Sequence, residues 1–582
     1  MSQELNAHIQ HLQKVLGDKK RLTKTTTATT ATEKKGRKNN IEIFGAGICL
    51  IASTMVQFNV FAVFLVLRIL SVFVVKTWYV PDEYWQSLEV AHKLTFGYGH
   101  LTWEWTKGIR SYIHPLFIAV LYQILAWFGL DQVEYLILVP RIFQALLSAI
   151  SDYCFYRWTN KSKWSIFVIA TSWFWFYTAT RTLINTVETC LTTIALSLYP
   201  RHYYDRDSNS FLWIVALVCF IRPTAAIIWS PLCIFHMRKS IHTVAELLIK
   251  RYLLIGLIVG AITMLLDSYA HGEWIWTPVE FFKANFLNDM GIFYGSQPWH
   301  WYFTIGLPTI LGPFAMPFLF AIIQTIQNRQ HFADRFHLLV AILFTLIVYS
   351  CLGHKEFRFI LPLLPICLHI TADSLAIWSR KASHLTIWLV AILLLIMNAM
   401  PAIYFSLTHQ RGTIDVMHSI ERISREYRDP DGHSAKIIFL MPCHSTPWYS
   451  HVHQNVSMRF LTCEPNLDGA QFYTDEAEQF FAHPAKWLRF NLPIYPKSVM
   501  PTHVVLFDNL ESQISDFLET YKLIETFNHT DYVIDRIGKT VLLYEHVFDV
   551  NELNAKQQTT ERNQFNAAAD DTIPDEPYHT EL

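Results

Sequence analysis

The sequence predicts a polytopic α-helical membrane protein carrying a small C-terminal α/β domain. Three observations predict it. Charged residues make up 16% of the 582-residue chain and hydrophobic residues 52%, whereas a soluble protein carries about 25% charge. The apolar residues fall in blocks of roughly 17–25, the length that crosses a bilayer as a helix. Past residue 406 the pattern changes to short β-like runs, KIIFLM, HVVLF and TVLLYEH, between polar and Pro-containing stretches.

Taken in order, residues 1–40 are polar and basic (KKRLTK, EKKGRK) and contain no apolar signal core, so the first span is expected to direct insertion. Segment 41–56 is apolar and reads equally as a span, a re-entrant piece or an interfacial lead-in. Eleven spans follow, near 58–76, 113–130, 134–156, 163–179, 183–200, 211–235, 252–268, 301–325, 336–352, 357–377 and 384–405. Together 41–405 form the transmembrane domain. Arg238, Lys239, Lys250, Arg251, Arg329, Arg335, Arg380 and Lys381 fall on the side of the basic N-terminus, and positive charge marks the cytoplasmic side. Loops 77–112, 269–300 and 353–356 and the domain 406–545 are thus expected on the opposite, lumenal face. Residues 546–582 are polar and low in aliphatics, the composition of a disordered tail. Sequons at Asn455 and Asn528 fall on the lumenal side; a third, Asn160, lies in a short loop. Of nine cysteines, Cys443 and Cys463 are the one plausible disulfide pair, given an oxidising compartment.

The chemistry concentrates in the lumenal loops. The first carries VPDEYWQSLEVAH (80–92). Proline and acids suit a helix start, and Asp82, Gln86, Glu89 and Lys93 then share one face, Trp85, Leu88 and His92 another. This reads as an amphipathic helix at the membrane surface with a carboxylate at its tip. The bland alternative is a solvated polar face plus acids that only stabilise the helix end. The same loop continues FGYGHLTWEWTKGIRSYIHP; the second contains GIFYGSQPWHWY and the third GHKEFRF. Aromatics suit sugar rings and clustered cations a phosphate, so the three loops could wall one cleft. Interfacial anchoring would account for the same aromatics and cations. Arg141, Asp152, Glu188 and Arg222 sit within spans, where ionisable residues default to the bundle interior; they are assigned to internal pairing, not catalysis. MPCHSTP (441–447) reads as a structural loop. The sequence has no HExxH, no zinc-type Cys/His spacing, no P-loop and no dinucleotide turn, and a net charge of -1 gives no reason to expect nucleic acid. A transporter would account for spans and buried charge too, but no inverted repeat is visible.

VPDEYWQSLEVAH, YGHLTWEW, RSYIHP, IRPTA, FYGSQPWHWYF, GHKEFRFI, HQRGTIDVM and MPCHSTPWYSHVH, in this order between about residues 58 and 545, resemble the GPI mannosyltransferase 3 family. These enzymes belong to the dolichyl-phosphate-mannose-dependent mannosyltransferases of the GT-C fold, glycosyltransferase family 22. The wider group has His where this chain has Val80, a departure shared by the third-mannose branch. The resemblance implies transfer of the third, α1,2-linked mannose from dolichyl-phosphate-mannose to a two-mannose GPI precursor at the lumenal face of the endoplasmic reticulum. It implies an inverting displacement with Asp82 as general base and Glu83 as the close alternative or orienting group. Arg110, His354, Lys355 and Arg358 are then candidate phosphate partners; Trp103, Trp299, His300 and Trp301 are candidate glycan contacts. No cofactor beyond the donor and no metal is expected; the partners are lipids.

Overall fold

The computed structural model describes residues 59–200, 208–240, 242–288, 290–429, 432–467, 472–492 and 500–547. The basic tail 1–40, segment 41–56 and the polar tail from 548 onward lie outside the described residues. The chain divides into two units, Met1–Val63 and Phe64–Leu582. Of the first only 59–63 are described, and they are helical; everything below belongs to the second.

Among the described residues, six helical stretches are long and apolar enough to cross a membrane: Val133–Trp158, Val244–His271, Tyr302–Gln327, Ala333–Ser350, Phe357–Ser379 and His384–Glu426. Shorter apolar helices are Ile113–Trp127, Ile184–Leu198, Ser210–Ile221 and one ending at Val74. The periphery is apolar outward, as lipid requires: Leu385, Trp388, Leu389, Leu393 and Met400 of the His384–Leu407 helix are all exposed. The ionisable residues of the spans turn inward. Arg68 pairs with Asp152 at 2.6 Å and Arg222 with Glu188 at 2.7 Å, while Arg141 donates to the Val75 carbonyl at 2.8 Å. The two ion pairs offset the desolvation of their charges, whereas Arg141 has only a carbonyl.

Two predicted spans are each two helices. Stretch 163–179 breaks at Ser172 into Lys163–Thr171 and Trp173–Thr178. Stretch 211–235 breaks at Arg222-Pro223-Thr224 into Ser210–Ile221 and Ala225–Lys239. The second break has a local cause. Pro223 excludes the α conformation for the residue before it, and Arg222 accordingly is extended, with φ -138° and ψ 95°.

The C-terminal region folds as a five-stranded sheet in the order β2-β1-β3-β5-β4, with β1 Lys436–Leu440, β2 Ser457–Phe460, β3 His503–Phe507, β4 Tyr521–Asn528 and β5 Thr540–His546. β1 runs parallel to β2 and β3; β5 runs antiparallel to β3 and β4. The three predicted runs are the central strands β1, β3 and β5, buried on both faces. The two edge strands were not predicted, because partly exposed SMRF and YKLIETFN carry no apolar run.

The period of two in these strands builds two cores. Ile438, Leu440, Val504, Leu506 and Leu542 face Phe480, Trp487 and Leu518. Ile437, Phe439, Val505, Phe507, Val541 and Leu543 face Trp85, Leu88, Trp448, Met417 and Ile420. The sheet therefore packs directly on the segment that carries the two acids. The bland alternative of a solvated polar face does not hold: Glu89 is completely buried, met by Trp448 and Ser450 of the C-terminal domain, and Gln86 is buried against Glu104 of the same loop.

Candidate active site

Asp82 and Glu83 are adjacent and point to different places. Pro81 opens a tight turn in which Tyr84 and Trp85 both donate their N–H to the Pro81 carbonyl at 3.0 Å. One π-turn follows, Tyr84–Leu88, and then the α-helix Glu89–Phe96. Trp85 fixes its rotation: its indole N–H donates to the Thr446 carbonyl at 2.9 Å and its ring meets His444 edge-on at 4.5 Å. The Glu83 side chain is 4% exposed and accepts from Arg181 at 2.7 Å. Asp82 opens instead on a cleft of about 440 Å³.

The cleft gathers all three loops that sequence reasoning placed on one face. The first supplies Asp82, Gln86, Trp103, Glu104 and Arg110; the second Phe281, Asn285 and Tyr294; the third His354 and Glu356, with Arg358 just beyond. Arg222, at the break between two helices, and Cys443 and His444 of the C-terminal domain complete the wall. Cys443 and Cys463 form a disulfide. They lie within ligand spacing of His444, but the disulfide engages both sulfurs.

Two charge networks cross the cleft. Asp82 is ion-paired with Arg358, which also holds Glu356 at 2.5 Å; Glu356 in turn accepts from His354 at 2.9 Å. Across from it, Glu104 accepts from Arg110 at 2.6 Å and from Gln86 at 3.2 Å. The carboxyls consequently diverge. Burial pushes Asp82 up, Arg358 pulls it back, and nearby Glu104 adds to the rise, leaving it above the ordinary aspartate value. Burial also pushes Glu356 up, but Arg358 and His354 outweigh it and hold the group at about 2. Arg110 likewise overrides burial at Glu104 and lowers it. The cleft thus contains two firmly ionised acids and one, Asp82, poised closer to neutrality.

Of the residues singled out in the sequence, Asp82, Trp103, Arg110, His354 and Arg358 line this cleft; the others do not. Glu83 lies behind the turn. Lys355 turns its ammonium into the carbonyls of Gln297 (2.9 Å), Gly353 (3.4 Å) and Leu352, stapling the second and third loops together. Trp299 is 70% exposed, and the His300 ring meets Thr304 at 3.2 Å. Trp301 is buried against Phe357. The chain enters a helix at Trp301, which buries Trp301 and Tyr302 and leaves Trp299 and His300 exposed. Gln86, Glu104, Glu356, Tyr294 and Arg222 are cleft residues that the sequence reading missed. Gln86 was one turn from Asp82 on the same face, and Glu356 stood inside GHKEFRF. Arg222 carried its signal in the proline that follows it. MPCHSTP, read as a structural loop, contributes wall residues to the cleft.

The profile of the Alg9-like mannosyltransferase family matches residues 59–453. GPI mannosyltransferase 3 of Drosophila melanogaster is 54% identical over 472 residues, which cover 81% of this chain and 84% of that protein. GPI alpha-1,2-mannosyltransferase 3 of Homo sapiens is 41% identical over 525 residues, 88% of this chain and 90% of that protein. Among solved structures, ArnT from Cupriavidus metallidurans bound to undecaprenyl phosphate superposes with a TM-score of 0.53 at 10% identity, covering 84% of this chain and 97% of that one. That likeness is one of fold. With a family profile covering most of its length and such relatives on either side, the chain belongs to the Alg9-like mannosyltransferase family.

Proposed function

We propose that this chain transfers an α1,2-linked mannose, the third of the glycan, from dolichyl-phosphate-mannose to a two-mannose GPI precursor. Mannose transfer in GPI-anchor biosynthesis follows from the relatives. The observation that carries the chemical assignment is the division of the acidic pair: Asp82 opens on the cleft, whereas Glu83 is locked to Arg181 outside it.

A β-linked mannosyl phosphate giving an α product requires one in-line displacement. The acceptor 2-hydroxyl oxygen attacks the anomeric carbon, the bond from that carbon to the phosphate oxygen breaks, and the electron pair leaves with dolichyl phosphate. The hydroxyl proton goes to Asp82. By analogy with inverting glycosidases, general-base assistance of this kind contributes about 10²–10⁴-fold. Burial raises the basicity of Asp82, and the ion pair with Arg358 opposes that rise. The departing phosphate needs cations rather than a proton; Arg110, Arg222 and His354 line the same cleft and serve that role, with Arg358 shared between base and phosphate. Trp103, held by Tyr294 at 2.7 Å, offers a fixed ring face to a sugar.

The setting is the lumenal face of the endoplasmic reticulum membrane, with eleven spans and the C-terminal domain in the lumen. The basic cytoplasmic loops support that orientation, and so does the Cys443–Cys463 disulfide beside the cleft. The test uses microsomes lacking the endogenous enzyme, supplied with labelled dolichyl-phosphate-mannose. The expected result is conversion of the two-mannose intermediate to the three-mannose species. Persistence of the two-mannose species with the protein expressed and both substrates present overturns the assignment.

A further inference from the structure

A second cavity, of about 280 Å³, lies on the other side of the acidic turn, and it shares no lining residue with the cleft. Its polar wall has four cations, Lys76, Arg141, Arg181 and Arg411, against two acids, Glu83 and Asp415. Two of the cations are already neutralised: Arg181 by Glu83 at 2.7 Å and Arg411 by Asp415 at 2.8 Å. Among the described residues, the other two have no carboxylate partner. Arg141 donates one guanidinium N–H to the Val75 carbonyl, and its Nε is buried with nothing to bond. A buried guanidinium left in this state is costly unless an anion completes it.

The position of the cavity limits what that anion can be. Lys76 follows the apolar helix that ends at Val74, and Arg411 follows the 24-residue helix His384–Leu407. The two helix ends are joined, the Lys76 N–H donating to the Ser406 carbonyl at 2.8 Å. Where apolar spans end is where lipid headgroups sit. Of the remaining wall, Val75, Leu88, Ile137 and Ile414 suit an alkyl segment, beside the polar Thr182, His418 and His451. A guanidinium and an ammonium facing one space match phosphate oxygens.

We propose that this cavity binds the phosphodiester headgroup of an anionic membrane phospholipid, as a site separate from the substrate cleft. The lipid sits against Arg141 and Lys76 and borders the Glu83–Arg181 pair, so its occupancy braces the turn that aims Asp82. The two cavities have no lining residue in common, so this site is distinct from the cleft.

The test is binding to the delipidated full-length chain in uncharged detergent, read as the melting-temperature shift against lipid mole fraction. The probes are phosphatidylinositol, diacylglycerol of the same chains and inorganic phosphate. Phosphatidylinositol is expected to stabilise saturably, with diacylglycerol and inorganic phosphate inert. Arg141→Gln combined with Lys76→Gln is expected to weaken the phosphatidylinositol midpoint at least tenfold, and Arg141→Lys to recover part of it. Lys76→Glu, at an exposed position, gives the same reading should the double variant fail to fold. Equal stabilisation by diacylglycerol, or unchanged binding in the variants, overturns the proposal. Saturation by inorganic phosphate at the same midpoint removes the lipid from it.

Discussion

Asp82 and Glu83 share a peptide bond and nothing else. Asp82 faces a cleft, its partner Arg358 is itself shared with Glu356, and its side chain is 15% exposed. Glu83 emerges on the other side, its partner Arg181 also donates to the Thr77 carbonyl at 2.8 Å, and both side chains are almost wholly buried. A carboxylate bound by a shared arginine in an open cleft can exchange partners with a substrate. One bound by an arginine that holds no second carboxylate, outside the cleft, serves to hold the fold. The same residue type therefore takes a chemical or a structural role according to which side of one turn it emerges from.

The strongest way to break this contrast is Asp82→Asn. It removes the proton acceptor and keeps the shape, so transfer should fall by about 10²–10⁴-fold with expression and melting temperature near wild type. Quantifying the three-mannose GPI intermediate in complemented microsomes checks it. Wild-type transfer by the variant returns the base assignment to open question.

Glu83→Gln should do the reverse. It strands Arg181 without its counter-charge, and breaking a buried pair costs about 3–5 kcal/mol. Melting of the detergent-solubilised protein should fall sharply, while turnover per folded molecule stays within about tenfold of wild type, less than one general base is worth. Normal stability with abolished transfer would instead give Glu83 the chemistry.

A third carboxylate sharpens the comparison because it is buried with no cation at all. Glu89 accepts from the backbone N–H groups of Trp448 and Ser450 and from the Ser450 hydroxyl, tying the acid-bearing helix to the C-terminal domain. Burial pushes it up to about 7, and those hydrogen bonds only partly oppose this. The folded protein thus holds the Glu89 proton more tightly than the unfolded chain, whose value is near 4.5. Its stabilising contribution is complete below pH 4.5 and is lost as pH rises through 7, in total about 3 kcal/mol. Buried His444 and His451, pushed down to about 4 and about 3 by burial, slope the opposite way. The difference between wild-type and Glu89→Gln melting curves isolates Glu89: it should change steadily between pH 4.5 and 7 and be flat elsewhere. A flat difference throughout would show Glu89 ionised in the fold.

What the sequence disclosed follows the same division between local and distant causes. The long apolar helices and the three loops that meet at one cleft are foreshadowed in hydropathy and in the residues between the apolar blocks. Each is a local pattern that a bilayer reads directly. Whether Gln86 and Glu89 are exposed is not legible in a helical pattern, which shows which residues share a face but not what covers it. Glu89 is covered by Trp448 and Ser450, about 360 residues away in sequence, and Gln86 meets Glu104 of its own loop. The two split spans were misjudged for a related reason. Apolar length hides a break unless the residue before a proline is weighed, and at Arg222 that residue enters the cleft.

The smallest expected effect falls on the aromatics that composition alone recommended. Trp299 looks as inviting as Trp103 in the sequence, since both are tryptophans in Tyr- and His-rich loops. Trp103 is buried at the cleft wall with its indole N–H bonded to Tyr294, whereas Trp299 is mostly exposed and stacks edge-on only with neighbouring His300. Trp299→Ala should therefore change stability by no more than about 0.5 kcal/mol and transfer by about twofold at most, while Trp103→Ala empties a sugar-facing wall and removes the indole N–H that donates to the Tyr294 hydroxyl. Measuring acceptor KM for the pair separates them: a rise in the Trp103 variant alone fits the cleft as drawn. An equal rise in both would mean that the second loop folds over the glycan when substrate arrives, bringing Trp299 onto the sugar from outside.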